Sequence, residues 1–518
     1  MNSQAVGRGG FFMPTIYKKN QKQIEVQLDQ GDIDYADLTS WSFPDEFLCF
    51  ILECNLLKYI DTSYPNPRVK NEVPIWFLVS CQFVMHLYQT GNYHHLQFLL
   101  NAGSLLTKFG FNVGASTIGF NDKNKKNRKT AIHADTARKF FKDTDRDEIR
   151  DWYRNDLQHW FRTQHAFNHQ GIFVLDQSHL VVPDNENYLE AVKMPVDEHG
   201  QLYENLGSLT QEQKKSLVYH RCYTLSTLLN VSMDCNQFHV AGYELGPGNE
   251  DELVQAEKLI PAFCRKFPGV MKLLIVDRGY IDKQFIEKIK KDHDVDVLIP
   301  LRKNMDDYKD SIAIANIKND WQLVEEKNDS DGKMILKKEI TTVNNLELWC
   351  NIPSKMQAAV TRYTSWNRHD EKHDVNYAVL ISTKKFKDPK MMPAHYELRV
   401  QTEERFRQFK HAWFIAEFPS PHASLIESHV CFTLLTYSLL QLYLRRKDLQ
   451  EKTRKMITSL RADESIGKNS VLVYAHNEYG VFDLDDYTVR VAGLQDSPRQ
   501  RLIAIMQAQK EARIKRNQ

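Results

Sequence analysis

The sequence predicts an α/β protein in which a mixed β-sheet is flanked by helices, interrupted by a mainly β insertion and preceded by a helical region. Three observations carry that expectation. Patterning changes from helical to strand-like after Phe167. Apolar runs rich in β-formers end in aspartate at Gly171-Ile-Phe-Val-Leu-Asp176 and Met271-Lys-Leu-Leu-Ile-Val-Asp277. A helix-periodic stretch from Tyr396 to Lys410 then carries a third acid, Glu403.

Taken in order, residues 1–34 are Gly-rich and then polar, with no sustained periodicity, and read as a loose segment. Residues 35–168 read as a separate helical domain, with apolar clusters such as Trp76–Val79 and Leu96–Leu100. Its segment from Lys123 to Lys142 is strongly basic, with Asp135 the only acid. A solvated loop and a phosphate contact both fit that charge, and for the second Lys125, Lys126, Arg128 and Lys129 are the candidates. Residues 169–302 contain strands at 171–182, 218–229 and 236–245, then a Gly246-Pro-Gly248 break. Asn249 and Glu252 suggest a capping box for a helix running to Phe267. A strand ending at Asp277, a helix at 282–291 and a strand at 295–301 follow, giving the order βββαβαβ. Residues 303–390 read as a mainly β insertion, and residues 391–444 return a helix with the third acid. Residues 445–518 end in a basic tail suited to DNA or dimer contacts, or to a frayed end.

The stretch from Tyr396 to Lys410 is the most informative. At about 100° per residue, Tyr396, Arg399, Glu403 and Lys410 share one helical stripe, whereas Glu404 projects away from it. Leu398, Phe406, Phe409 and Trp413 form an adjacent apolar stripe that a core would bury. A salt-bridged amphipathic helix explains this pattern alone, and an Asp at a strand end is commonly a turn or cap residue. Two strand-end aspartates plus a glutamate on a patterned helix point further. Hard oxygen ligands are what Mg²⁺ takes in phosphoryl transfer, so Asp176, Asp277 and Glu403 are the candidate catalytic and metal-binding residues.

Composition sets the bounds. The chain of 518 residues has 68 basic and 67 acidic side chains, so overall charge gives no argument for a nucleic-acid partner and any such argument is local. Eight cysteines are scattered without a CxxC pair or zinc-type spacing, as expected of reduced thiols in a cytoplasmic protein. Pro74–Tyr88 and Val430–Leu444 are the longest apolar stretches; both fall short of a span and carry polar residues, so no membrane partner is expected.

The order of elements matches the ribonuclease H-like fold, which brings distant acids to one sheet edge. Tyr396, two residues, Arg399, three residues, Glu403, six residues and Lys410 resembles the signature of the DDE transposases of bacterial insertion sequences, in the insertion sequence family four group. Asp277-Arg-Gly-Tyr280 is similar to that group's second block, and Asp176-Gln-Ser-His179 departs from the small residue or second acid usual after the first aspartate. The resemblance covers residues 171–440 and implies cut-and-paste transposition. Two Mg²⁺ ions, replaceable by Mn²⁺, would be held by the three acids, and Arg399 and Lys410 would clamp DNA phosphates with Tyr396 as hydroxyl donor. It also implies a homodimer assembled on double-stranded DNA at the terminal inverted repeats and target, in a bacterial, nucleoid-associated setting. Relatives flip a base onto an aromatic residue of the β insertion, for which Trp321, Trp349 and Trp366 are candidates. A nuclease of the same fold and a domesticated DNA-binding protein that no longer cuts are the alternatives.

Overall fold

The structure is a computed structural model that describes residues 18–70, 73–96, 132–196, 202, 210–212, 217–234, 237–328, 334–347, 355–367, 372–448 and 468–517. The basic candidates Lys125, Lys126, Arg128 and Lys129, and Trp349, lie outside these residues.

Strand β1 (Lys18–Lys19), helix α1 (Gln21–Gln30) and strand β2 (Tyr35–Trp41) open the described chain. Residues 21–30, expected to be loose, are therefore a helix, with Asn20 accepting from the Gln23 amide and Gly31 closing it at φ 66°. It buries only Ile24 and Leu28, one turn apart, too few for a periodicity to show. Residues 35–41, assigned to the helical region, are a strand whose hydrogen-bonding partner comes from the far end of the chain. Among the described residues the helices that follow are α2 (Phe43–Glu53), α3 (Leu56–Ser63), α4 (Ile75–Leu87), α5 (Ala134–Asp143), α6 (Arg146–Trp152) and α7 (Gln158–Thr163), the last two joined by a π-helical turn.

The central sheet begins with β3 (Ile172–Val182), β4 (Val192–Val196), β5 (Val218–Val231) and β6 (Phe238–Pro247). After α8 (Glu252–Lys266) come β7 (Leu273–Ile275), α9 (Lys283–His293) and β8 (Asp296–Pro300). The N-cap of α8 is Asp251, which accepts from the Leu253 amide, so the expected capping box from Asn249 is displaced by two residues. The insertion starts with a helix, α10 (Asp306–Lys318), before β9 (Gln322–Asn328), β10 (Met334–Leu346), β11 (Met356–Asn367) and β12 (Lys372–Ser382). Its strands continue the central sheet, in the order β4-β5-β3-β7-β8-β12-β11-β10-β9 with β6 also paired to β5. The pairs β3–β7 and β7–β8 are parallel, and the remaining pairs of this sheet are antiparallel.

Helices α11 (Met391–Tyr396), α12 (Leu398–His411) and α13 (Ala423–Arg446) close the core. Alternation along β3 sends Val174 and Leu180 to one core, shared with α4 and α13, and Phe173 and Leu175 to a second under α8 and α9. Because the first core runs from Phe47 to Leu444, packing continues across the sequence boundary at 168. Among the described residues α13 is the one helix long and apolar enough to cross a membrane, and 83% of that window is buried inside the protein. Finally β13 (Lys468–Ala475), β14 (Glu478–Asp483), α14 (Leu484–Ala492) and α15 (Asp496–Asn517) return to the N-terminal elements, forming a four-stranded sheet ordered β1-β14-β13-β2.

Candidate active site

Register brings the two aspartates level. Phe173 pairs with Leu274 and Val174 with Ile275 on parallel strands, and Asp176 and Asp277 each lie two residues past that last pair. There β7 leaves the sheet, whereas β3 runs on beside β5 to Val182, so Asp176 stands within its strand and not at a strand end, level with Asp277 at the end of β7. Asp277 also caps the turn at Arg278–Tyr280, its Oδ1 accepting from the Arg278 amide at 2.7 Å. The turn role leaves the other carboxylate oxygen, Oδ2, towards Arg399. A Cβ on Gly279 would stand 2.3 Å from Glu252 Oε2, so the glycine makes room for a further carboxylate at the start of α8.

Helix α12 lies across β3 and delivers the third acid. Tyr396 ends the short helix before it, with Glu397 at the junction, so the four signature residues span two helices that nearly abut. The Arg399 guanidinium joins the carboxylates: Nη1 donates to Glu403 Oε1 at 2.5 Å, and Nη2 lies 3.0 Å from Asp277 Oδ2 and 3.9 Å from Asp176 Oδ2. The Tyr396 hydroxyl donates to Asp277 Oδ1 at 3.3 Å. Sequence spacing identifies the Arg399–Glu403 pair but not its reach to the aspartates. Glu404 turns away to Arg407 and Gln408, as its helical angle requires. Lys410 lies two turns, roughly 10 Å, further along and has no ion-pair partner among the described residues. Burial holds its amine below the usual lysine range, with Cys222 on β5 weakly opposing.

Electrostatics mark Asp176 as the unusual acid. Burial, opposed by Arg399 and the Gln177 amide and reinforced by Asp277 and Glu252, pushes its pKa up to about 7. Glu252 is raised as well, first by burial and then by Asp277. Among the described residues no three acid, His or Cys side chains are already drawn into a metal cage. The acids instead converge on one cation, and their oxygens are the hard donors a divalent ion takes.

An open groove of about 1040 Å³ runs from Asp277 and Arg399 along the insertion, lined by Arg278, Arg302, Lys303 and Lys338 and by Tyr308, Tyr363, Tyr377 and Tyr396. Its aromatic residues are tyrosines. Trp321 stacks under the Arg362 guanidinium at 4.2 Å, and Trp366 packs on His373. Sequence reading missed Glu252, which looked like a capping partner, and the groove, whose residues alternate along strands that show their common face only once paired.

Residues 168–439 match the transposase DDE domain family, just over half of the chain. The chain belongs to that family. The matched span of this DDE transposase opens just before β3 and closes within α13, enclosing Asp176, Asp277, Glu403 and the whole insertion. No curated protein matches the chain. Family membership implies a DNA substrate and a nuclease-type transposase chemistry.

Proposed function

We propose that this DDE transposase cuts DNA at the ends of its own element and joins the freed 3′ ends to target DNA, as in the insertion sequence family four group. The observation that carries this reading is the convergence of carboxylates from β3, β7 and α12 on the Arg399 guanidinium. The strand order β6-β5-β3-β7-β8, with its three parallel members in the middle and at one side, supports the ribonuclease H-like reading of the chain order βββαβαβ. Its continuation into β12 makes the insertion an extension of the catalytic sheet.

Three acids against one arginine leave a local charge of about −2 when all are ionised, which fits divalent cations. Asp176, Asp277 and Glu403 would hold Mg²⁺ or Mn²⁺, which when bound supplies the charge for in-line displacement at phosphorus. The residues of the chain do the remaining work. A strand interior, a strand end and a packed helix fix the carboxylates, and Arg399, released from them, offers a bidentate fork to a phosphate. Tyr396 turns its hydroxyl to the same place. Lys410, which has no ion-pair partner among the described residues, suits a phosphate further along the strand. The basic, tyrosine-lined groove fits a distorted or single-stranded DNA end, with bases on ring faces and phosphates on Arg302, Lys303 and Lys338. Tyr363 and Tyr377 thereby replace Trp321 and Trp366 as the aromatic candidates.

Joining decides the reading. Full-length protein, Mg²⁺ and short duplexes bearing the element's ends should yield hairpin or integration products; nicked or degraded duplex without joining would identify a nuclease of the same fold. Two ends must be processed together, so a dimer on DNA should form in the same mixture.

A further inference from the structure

The departure after the first aspartate, Gln177-Ser-His179, has a structural partner. On β3 these odd positions face away from Asp176, towards α8. Gln177 Nε2 donates to Gln255 Oε1 at 3.0 Å and reaches the Glu250 carbonyl at 3.4 Å, and His179 Nε2 donates to the Gly248 carbonyl at 3.1 Å. Gln255 is fully buried. Its carbonyl also accepts from Ser226 Oγ at 2.5 Å, and its amide donates to Thr224 Oγ1 at 3.0 Å and Glu250 Oε2 at 2.8 Å. All four hydrogen-bonding positions of that amide are thus filled, tying β3, β5 and the β6–α8 connection together.

The Gln177 main-chain amide in turn donates to Asp176 Oδ1 at 2.9 Å, leaving Oδ2 on the side of Arg399. A network anchoring the Gln177 side chain therefore fixes the backbone donor that aims the carboxylate. We propose that Gln177 and Gln255 are positioning residues for Asp176, setting its free oxygen for a divalent ion. This rests on the metal-binding reading given above. Apolar side chains would fill the same space, but a leucine-like filling gives the backbone at 177 no polar anchor, and a metal-binding carboxylate needs its orientation held to about 0.5 Å.

The test is Mn²⁺ binding to the full-length protein, followed by electron paramagnetic resonance of the free ion, beside cleavage measured against Mg²⁺ concentration. Gln177→Met keeps the shape of the side chain and removes its hydrogen bonds. It should weaken Mn²⁺ binding about tenfold, as loss of a residue supporting a metal ligand does, and cleavage should recover at saturating Mg²⁺. Thermal melting reports folding of each variant. Ser226→Ala, a smaller lesion in the same network, should weaken binding in the same direction but by less than the tenfold of Gln177→Met, and decides the matter if Gln177→Met does not fold. A binding curve for the folded variant that superimposes on the wild type overturns the positioning role. Wild-type protein that holds no Mn²⁺ overturns the metal reading, and this proposal with it.

Discussion

The molecule holds two clusters of opposed charge, built from the same chemistry and ending differently. In the first, between α6, β6 and α13, Arg150 Nη2 lies 2.6 Å from Glu427 and Arg154 bonds Glu244. Tyr243 donates its hydroxyl to Glu427 at 2.7 Å, and Glu244 and Glu427 are 2% and 1% exposed. Two guanidinium groups meet two buried carboxylates, with the exposed Asp147 and Asp151 3.8 and 3.9 Å away at the rim, and the buried pairs are sealed. In the second, one guanidinium serves three carboxylates at the rim of a groove, and Glu403 is half exposed. Balanced and closed charge welds helices to a sheet; unbalanced and open charge leaves room for a cation from outside. The difference is the one expected between a structural ion network and the metal site proposed for the open cluster.

Substitution should split the two clusters cleanly. Asp277→Ala removes a carboxylate at the open cluster and should lower cleavage about 10³-fold or more, the scale expected when a central electrostatic group is lost. Its binding to end DNA and its melting temperature should stay close to wild type. Substantial residual cleavage would falsify the role given to this acid. At the sealed cluster, Glu427→Gln strands the buried Arg150 and should cost about 3–5 kcal/mol, read by urea unfolding. If Glu427→Gln melts like wild type, the sealed cluster is not the weld described.

What could be read from the sequence follows from how local each signal is. Strands β3 and β7 were legible because a buried parallel strand is a continuous apolar run, and Asp176 and Asp277 end those runs. Helix α12 was legible from its period, and α13 from its apolar length. The terminal sheet was not: β2 pairs with β13 from Trp41↔Lys468 to Tyr35↔Tyr474, almost the length of the chain apart, and α1 shows only two core positions. Nor was the sealed network, since Arg150 and Glu427 are 277 residues apart and each looks like an ordinary charged helix residue. Arg399 was half legible. Its i, i+4 partner Glu403 is written in the spacing, but Asp277, 122 residues away, is not.

The clusters should also differ in their response to pH. Asp176 carries a pKa of about 7, raised first by burial and then by Asp277 and Glu252 against Arg399. Its folded value lies above the unfolded value near 4, so its contribution to the metal-free fold is present below about pH 4 and is lost as pH rises through 7. A divalent ion must displace that proton, so apparent Mn²⁺ affinity should fall about tenfold per pH unit below 7 and level off above it. Proton release measured on metal binding at pH 6 checks the sign. Asp176→Asn should bind more weakly with no steepening below pH 7, and a curve still steep in that variant would assign the proton elsewhere.

The smallest effect tests the imbalance itself. Arg399→Met leaves Asp176, Asp277 and Glu403 without their internal cation, so the metal-free protein should be destabilised. The exposure of Glu403 and screening by solvent limit the loss to about 1 kcal/mol. Divalent cations should restore the melting temperature of the variant more than that of the wild type, because no guanidinium then competes for the carboxylates. In the wild type the same displacement frees Arg399 for a phosphate, so the variant should bind metal at least as well while binding end DNA less tightly. Were Arg399 merely a helix ion pair with Glu403, neither metal affinity nor DNA affinity would move; opposite shifts in the two would show that one side chain balances the acids before DNA arrives and grips DNA afterwards.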